Sequence, residues 1–206
     1  MKKLALLLAV ILLFSFTGCK KQPDGNTDPT TTTTTAYTPT RVDTFTVGTV
    51  NGTSYENAYF GIGCNLGSDW AISDAAAYNP SLDTQGDLNA AAANAQQFYD
   101  MFAVDPTGVS VEIYVENLTL LMDTVPSLED YMDLQRSMYE GNPNLVVTDI
   151  TTTISNRSYK GLQVTVDETL TDVSYYLSCG NYMVSLRFLV PNAAMAEQLL
   201  PAFYTF

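Results

Sequence analysis

The last third of the chain leaves little freedom in how it folds. Between Leu145 and Val190, four runs rich in β-branched and aromatic residues follow one another with very short connections. Leu145–Ile154 is rich in Val and Thr. Tyr159–Val166 alternates Leu162, Val164 and Val166 against Gln163 and Thr165. Val173–Cys179 and Tyr182–Val190 flank the pair Gly180-Asn181. A parallel pairing needs a crossover of roughly a dozen residues or more, and none of these gaps supplies one. The runs therefore predict antiparallel hairpins, with Gly180-Asn181 as a two-residue loop of type II′.

The same reasoning applies near the start of the domain. Thr44–Val50 and Ser54–Phe60 flank Asn51-Gly52, a strong hairpin signal. The second strand is expected to continue through Phe60, Ile62, Cys64 and Leu66, alternating with Gly61, Gly63 and Asn65. Gly67-Ser68-Asp69 then turns the chain before Trp70, the single tryptophan. Asp87 predicts the N-cap of a helix carrying Leu88, Ala91, Ala95, Phe98 and Phe102 at helical spacing, stopped by Pro106-Thr107-Gly108. Val109–Leu121 reads as a strand. Ser127, with Asp130 in the capping-box position, opens a second helix with Leu128, Tyr131, Leu134 and Met138 as its apolar stripe. Gly141-Asn142-Pro143 ends it. Pro191-Asn192 caps a final helix, Ala193–Leu200, and Phe203 and Phe206 are expected to pack its tail on the core. Hairpins outnumber crossovers, so the fold class is α+β: a mainly antiparallel sheet with helices covering its faces.

The first 18 residues read differently. Met1-Lys2-Lys3 is a positive n-region, and Leu4–Phe14 is an apolar run too short to span a bilayer. It ends in Ser15-Phe16-Thr17-Gly18-Cys19, which resembles the lipobox of bacterial lipoproteins. That resemblance implies cleavage after Gly18 and a diacylglyceryl group on the Cys19 thiol, which gives stable membrane anchoring. Residues 19–41 follow as lipidated Cys and linker, with Pro23, Pro29, the six threonines Thr30–Thr35 and Pro39. No apolar periodicity supports folding there. As a tether the linker reaches about 70 Å extended, or roughly 25 Å as a coil. Residues 42–206 form a single globular domain.

Charge and missing residue types narrow the function. The chain has 9 Lys and Arg against 22 Asp and Glu, no His, and a formal net charge of −13. Without imidazole there is no Ser-His-Asp triad, no Cys-His dyad and no His-ligated metal. Acidic surfaces repel phosphate, so nucleic acid is not an expected partner. The basic residues also cluster: two lysines lie in the signal segment and two, Lys20 and Lys21, beside the lipid, where anionic headgroups attract them.

Gly48-Thr49-Val50-Asn51-Gly52, then Tyr55-Glu56-Asn57-Ala58-Tyr59-Phe60-Gly61-Ile62, then Trp70, resemble the start of small bacterial PsbP/DcrB/LpqN-type domains. Those begin with a Tyr-x-Asn-x-x-(Phe/Leu)-Gly-(Phe/Ile) strand and end with a hairpin and a helix leading to a terminal aromatic. Here Leu66-Gly67-Ser68-Asp69 stands where the family has a proline before the tryptophan. The resemblance implies an α/β/α sandwich of PsbP type and no shared activity.

Candidate chemistry is sparse. Once Cys19 is lipidated, Cys64 and Cys179 remain on apolar-facing strand positions in an oxidising location. A disulfide between them and a pair of buried thiols both fit. Glu129, Asp130 and Asp133 gather at a helix start, where the dipole favours acids. Asp167, Glu168 and Asp172 bracket a turn without the pattern of a calcium loop. Of Tyr175-Tyr176, adjacent on one strand, one ring is expected to face solvent. No catalytic residue, cofactor or metal site is read from the sequence. The sequence thus reads as a non-enzymatic, lipid-anchored extracytoplasmic protein of the bacterial cell envelope. Its expected partners are the membrane, through its lipid, and another envelope protein; a surface module for carbohydrate or peptide is the alternative, and an enzyme ranks below both.

Overall fold

The computed structural model describes residues 41–206 except 84, 85 and 168. The expectations for residues 1–40, including lipidation of Cys19 and the threonine-rich tether, lie outside the described residues. Among the described residues, eleven strands form two antiparallel sheets. The smaller contains β1 (Thr49–Asn51), β2 (Ser54–Asn57), β3 (Ile62–Asn65) and β11 (Phe203–Thr205), in the order β1-β2-β3-β11. The larger contains β4 (Ala71–Asp74), β5 (Gln97–Val104), β6 (Ser110–Asn117), β7 (Val146–Ile154), β8 (Arg157–Asp167), β9 (Leu170–Cys179) and β10 (Tyr182–Val190). Its order is β4-β5-β6-β10-β9-β8-β7. Short helices α1 (Ala75–Tyr78), α2 (Pro80–Asp83), α3 (Leu88–Ala93) and α4 (Leu118–Leu121) precede α5 (Leu128–Tyr139) and α6 (Ala193–Leu199).

The mainly antiparallel α+β class holds, with all registers antiparallel. The α6 helix packs on one face of the large sheet and α5 on the other. The face that carries α6 also holds the small sheet. Between the two sheets lies the principal core, including Phe60, Ile62, Val111, Ile113, Leu186 and Phe188. The opposite face carries a second cluster under α5: Leu118, Tyr131, Met132, Leu162, Tyr176 and Met183. That double cover corrects the expectation for Tyr175-Tyr176. The rings do point to opposite faces, but both are buried, Tyr175 in the first cluster and Tyr176 in the second.

Several local readings hold. Gly180 takes φ 58° while Asn181 stays at negative φ, and Cys179 pairs with Tyr182, which makes the type II′ turn. Asp87, Ser127 and Asn192 accept from the backbone N–H of Ala90, Asp130 and Met195, as N-caps do. Others shift. Asn51 pairs with Ser54, so the first hairpin turns at Gly52-Thr53. The long second strand is two strands, because Asn57 pairs with Ile62 and the chain reverses at Ala58–Gly61. Strand β6 stops at Asn117 and continues as α4. On α5 the buried positions are Tyr131 and Met132; Leu134 and Met138 are exposed. The tail beyond α6 is a 3₁₀ turn at Leu200–Ala202 and then β11, which seats Phe203 against Phe188 at 5.6 Å.

The largest correction concerns residues 87–104. The helix ends at Ala93, and Phe98 and Phe102 lie on β5. Here the register with β6 slips between Tyr99 and Met101, leaving Asp100 as an inserted residue. The bulge turns the Asp100 carboxylate toward the small sheet, where it is fully buried. No cation meets it. Instead the Tyr55 hydroxyl donates to Oδ2, Asn57 Nδ2 donates to Oδ2 at 2.6 Å, and the Gly48 N–H donates to Oδ1 at 2.8 Å. Asn57 uses its remaining groups on Thr46 O (3.0 Å) and the Phe60 N–H (2.9 Å). Gly48 must be glycine, since a Cβ there would lie 2.1 Å from the Tyr55 ring. Burial raises the Asp100 pKa above the ordinary carboxylate value; the bonds from Tyr55, Gly48 and Asn57 oppose that rise.

Removing the Tyr55 hydroxyl leaves a charged acceptor short of one donor. Tyr55→Phe is expected to cost about 1.5–3 kcal/mol in urea unfolding. Asp100 has a raised folded pKa, so its contribution to stability is greatest below its unfolded value of about 4 and declines as pH rises through the folded value. Asp100→Asn should flatten that decline. An unchanged pH slope in the variant would show that the carboxyl is not the titrating group.

Candidate functional site

The α5 helix covers β8 and β9, and α1 lies over β5 at the other side of the sheet. Between them β6 and β10 carry a strip of side chains that α5 covers only at its margin, through Tyr131 and Tyr139. Cross-strand partners share a face, and two rows cross here. Phe102 pairs with Glu112, Glu112 with Arg187, and Arg187 with Ser174. In the next row Tyr99 pairs with Tyr114, Tyr114 with Ser185, and Ser185 with Tyr176.

The centre is an ion cluster. Arg187 donates from Nε to Asp172 Oδ2 at 2.8 Å and from Nη1 to Glu112 Oε2 at 3.3 Å, while the Ser174 hydroxyl donates to Asp172 Oδ1 at 2.8 Å. The Arg187 side chain is 24% exposed, against 6% and 10% for Glu112 and Asp172, so the cation forms the lid over two carboxylates. Burial alone would lower the guanidinium pKa; Asp172 and Glu112 outweigh it and hold the pKa well above the usual value. Burial raises the Glu112 pKa, Arg187 pulls it down, and Asp172 pushes it up. Glu116, which accepts from the Tyr131 hydroxyl, lies on the same face.

Half-buried rings rim this centre. Tyr78 stacks on Phe102 at 4.3 Å and meets Tyr99 edge-on at 4.9 Å; Tyr99 tilts against Tyr114 at 5.0 Å. The Asp74 cap starts α1, and Asn79 fixes its end to β5 by donating to Tyr99 O (2.6 Å) and accepting from Tyr99 N–H (3.0 Å). The tyrosines feel the charge below: burial, then Tyr99 and Glu112, push the Tyr78 phenol up to about 12. From the α5 side Tyr139 approaches Asp172 and Arg187. Exposed Leu120 and Leu121 follow directly from the end of β6. Because Arg187 lies over Glu112 and Asp172 and the three satisfy one another, the strip offers an incoming group chiefly ring surface.

The residues singled out from sequence do not form a second centre. Cys64 and Cys179 are free and buried in separate surroundings. Cys64 pairs with Phe203 and Tyr55 across its strand, and burial pushes its thiol up to about 12. Cys179 Sγ accepts from Arg41 Nη2 at 3.0 Å. Each thiol is held among its own neighbours. Glu129 pairs with Lys160, Asp133 with Arg136, and Asp130 caps back to Ser127. Asp167 closes a turn onto Thr169, while Asp172 lies in β9 under Arg187. Among the described residues no three of Asp, Glu, Cys and His gather as a metal site. A depression of 150 Å³ at the strand ends, lined by Thr107, Gly108, Leu189 and Pro191, falls below the roughly 300 Å³ usual for ligand pockets.

Sequence reasoning did not find Glu112 and Arg187. The available signal was Arg187 itself, a charge between Leu186 and Phe188 in an otherwise apolar strand. Such a position calls for a buried acidic partner.

Fold and strip together describe a two-sheet α+β sandwich with an ion cluster rimmed by aromatic rings on its larger sheet. In comparisons with known proteins, no family model matches the chain and no curated protein matches it. Among solved structures, the chain is similar to the solution structure of cyanobacterial PsbP (CyanoP) from Synechocystis sp. PCC 6803. The identity is 9%, the match covers 74% of this chain and 91% of that one, and the TM-score is 0.44.

Replacing Arg187 with Met leaves two carboxylates buried without their cation. The expected loss is about 3–5 kcal/mol at neutral pH. Without Arg187 the Glu112 pKa rises further, so the deficit should shrink as pH falls toward 4; urea unfolding at pH 7 and pH 4.5 reads this. A deficit independent of pH would show that the cluster is not charged.

Proposed function

We propose that the chain is a lipid-anchored extracytoplasmic interaction protein. On this reading Cys19 holds it at the bacterial cell envelope, residues 20–41 lift the domain off the membrane, and the domain docks another envelope protein without catalysing a reaction. The observation that carries the docking role is the aromatic strip over the Arg187–Glu112–Asp172 cluster. Its ring faces suit a segment bearing lysine or arginine, through cation–π contact. A folded domain with 20 acidic and five basic residues from Arg41 onward adds long-range steering of such a partner.

The anchor and the strip are tested together in intact cells producing the full chain. A photo-reactive phenylalanine replaces Tyr99 in one variant and exposed Thr148, on β7, in another. Position 99 should give one discrete adduct with an envelope protein, reduced by raised salt, and position 148 should not give that adduct. Cys19→Ala should release the chain from the membrane fraction. Retention of Cys19→Ala in membranes overturns the anchor, and identical adducts from both positions overturn the strip as docking site. Half-exposed rings beside carboxylates also favour a neutral carbohydrate; binding of glycans to the strip that does not respond to salt would select that reading.

A further inference from the structure

Strand β7 ends the seven-stranded order, and among the described residues no strand lies outside it. Natural sheets blunt such an edge by keeping it short or by placing proline, lysine or a bulge on it. The opposite edge follows that rule: β4 has four residues and ends in the Asp74 cap of α1. Strand β7 does not. Its nine residues, VVTDITTTI, hold no proline, glycine or lysine. They pair with β8 in unbroken register from Val146↔Thr165 to Ile154↔Arg157. Val146 is 63% exposed, and Thr148, Thr151 and Thr153 are exposed as well.

The charge around this edge is also unlike the rest of the domain. Of the five basic residues from Arg41 onward, three sit here. Arg157 and Lys160 lie on β8, and Arg136 of α5 reaches Asp149 on β7. Arg136 also pairs with Asp133, and Lys160 with Glu129. Strands β7 and β8 and helix α5 thus hold three bases against five acids, and the other 15 acids have only Arg41 and Arg187 to oppose them. Two copies approaching by almost any other surface meet like charge. At β7 they meet a β-prone strand in the least acidic part of the domain.

We propose that β7 is a homodimer interface, in which the β7 strands of two copies pair antiparallel about a two-fold axis at Ile150 and join the large sheets into one. An antiparallel edge pairing is self-complementary by symmetry. In this register Thr148 faces Thr152, Ile150 faces Ile150 and Asp149 faces Thr151, while Val146 lies opposite Ile154, whose side chain is buried and whose carbonyl accepts from Thr205 of β11. Val147 faces Thr153, isoleucine meets isoleucine at the axis, and the single charge of the strand does not meet itself. The pairing leaves the strip between α1 and α5 uncovered, so each copy keeps its own docking surface. The inference stands independently of what that surface binds.

The register makes the test specific. Thr151→Asp places a carboxylate opposite Asp149 twice per dimer, and Thr151→Lys places an ammonium there instead. Sedimentation of the full chain in detergent should show a concentration-dependent dimer. Thr151→Asp should weaken it about tenfold or more, and Thr151→Lys should keep or tighten it. Circular dichroism confirms that both variants fold. A wild-type chain that stays monomeric at every concentration overturns the proposal, as does equal weakening by both substitutions.

Discussion

A carboxylate buried without a cation organises this domain. Asp100 sits at a β-bulge on a central-sheet strand and turns into the space between the two sheets. Three donors meet it: a phenol and an amide from β2 and a main-chain N–H from Gly48, just before β1. Without them an ionised carboxylate there would cost several kcal/mol. With them, strand β2 and the residues before β1 have a fixed position over β5. The aromatic contacts around Phe45, Phe60, Phe98 and Tyr182 fill the remaining space and exclude water from the same junction. The Tyr-x-Asn spacing of β2 has its physical reason here, because residues two apart on a strand share a face and both reach Asp100.

The bulge has consequences on the other side of the sheet. It lets Tyr99 and Phe102, three residues apart, face away from the small sheet and toward α1. Those two rings and Tyr114 border the Arg187 cluster. One face of β5 is thus spent on holding the sheets together and the other on building the aromatic strip. The two charged centres differ in kind. Asp100 is satisfied by neutral donors and is closed off. Arg187 is satisfied by charges and is open above.

The legible part of the fold was the part where periodicity and turns agree. Strands β7 to β10 are β-rich runs bounded by turn residues, β8 with clear alternation, and Gly180-Asn181 sets the loop geometry locally. The β5 segment deceived for a definite reason. Its bulge puts Phe98 and Met101 on one face and Tyr99 and Phe102 on the other, so apolar residues recur at three instead of two, which is the spacing of a helix. Tyr175-Tyr176 carried no sign that both faces of β9 are covered, because that depends on where α5 and the small sheet land. The strip was hidden for a similar reason. Glu112, Asp172 and Arg187 lie 60 and 15 residues apart and meet only through the order β6-β10-β9.

If Asp100 joins the sheets as described, the small sheet has no stability of its own to lose. Native-state hydrogen exchange measures this directly. The amides of Tyr55 and Cys64 should exchange with the same opening free energy as those of Ile113 and Leu186, and the same denaturant dependence, so that both sheets open as one unit. Exchange of the small sheet through a separate opening, several kcal/mol easier and insensitive to Asp100→Asn, would contradict the account.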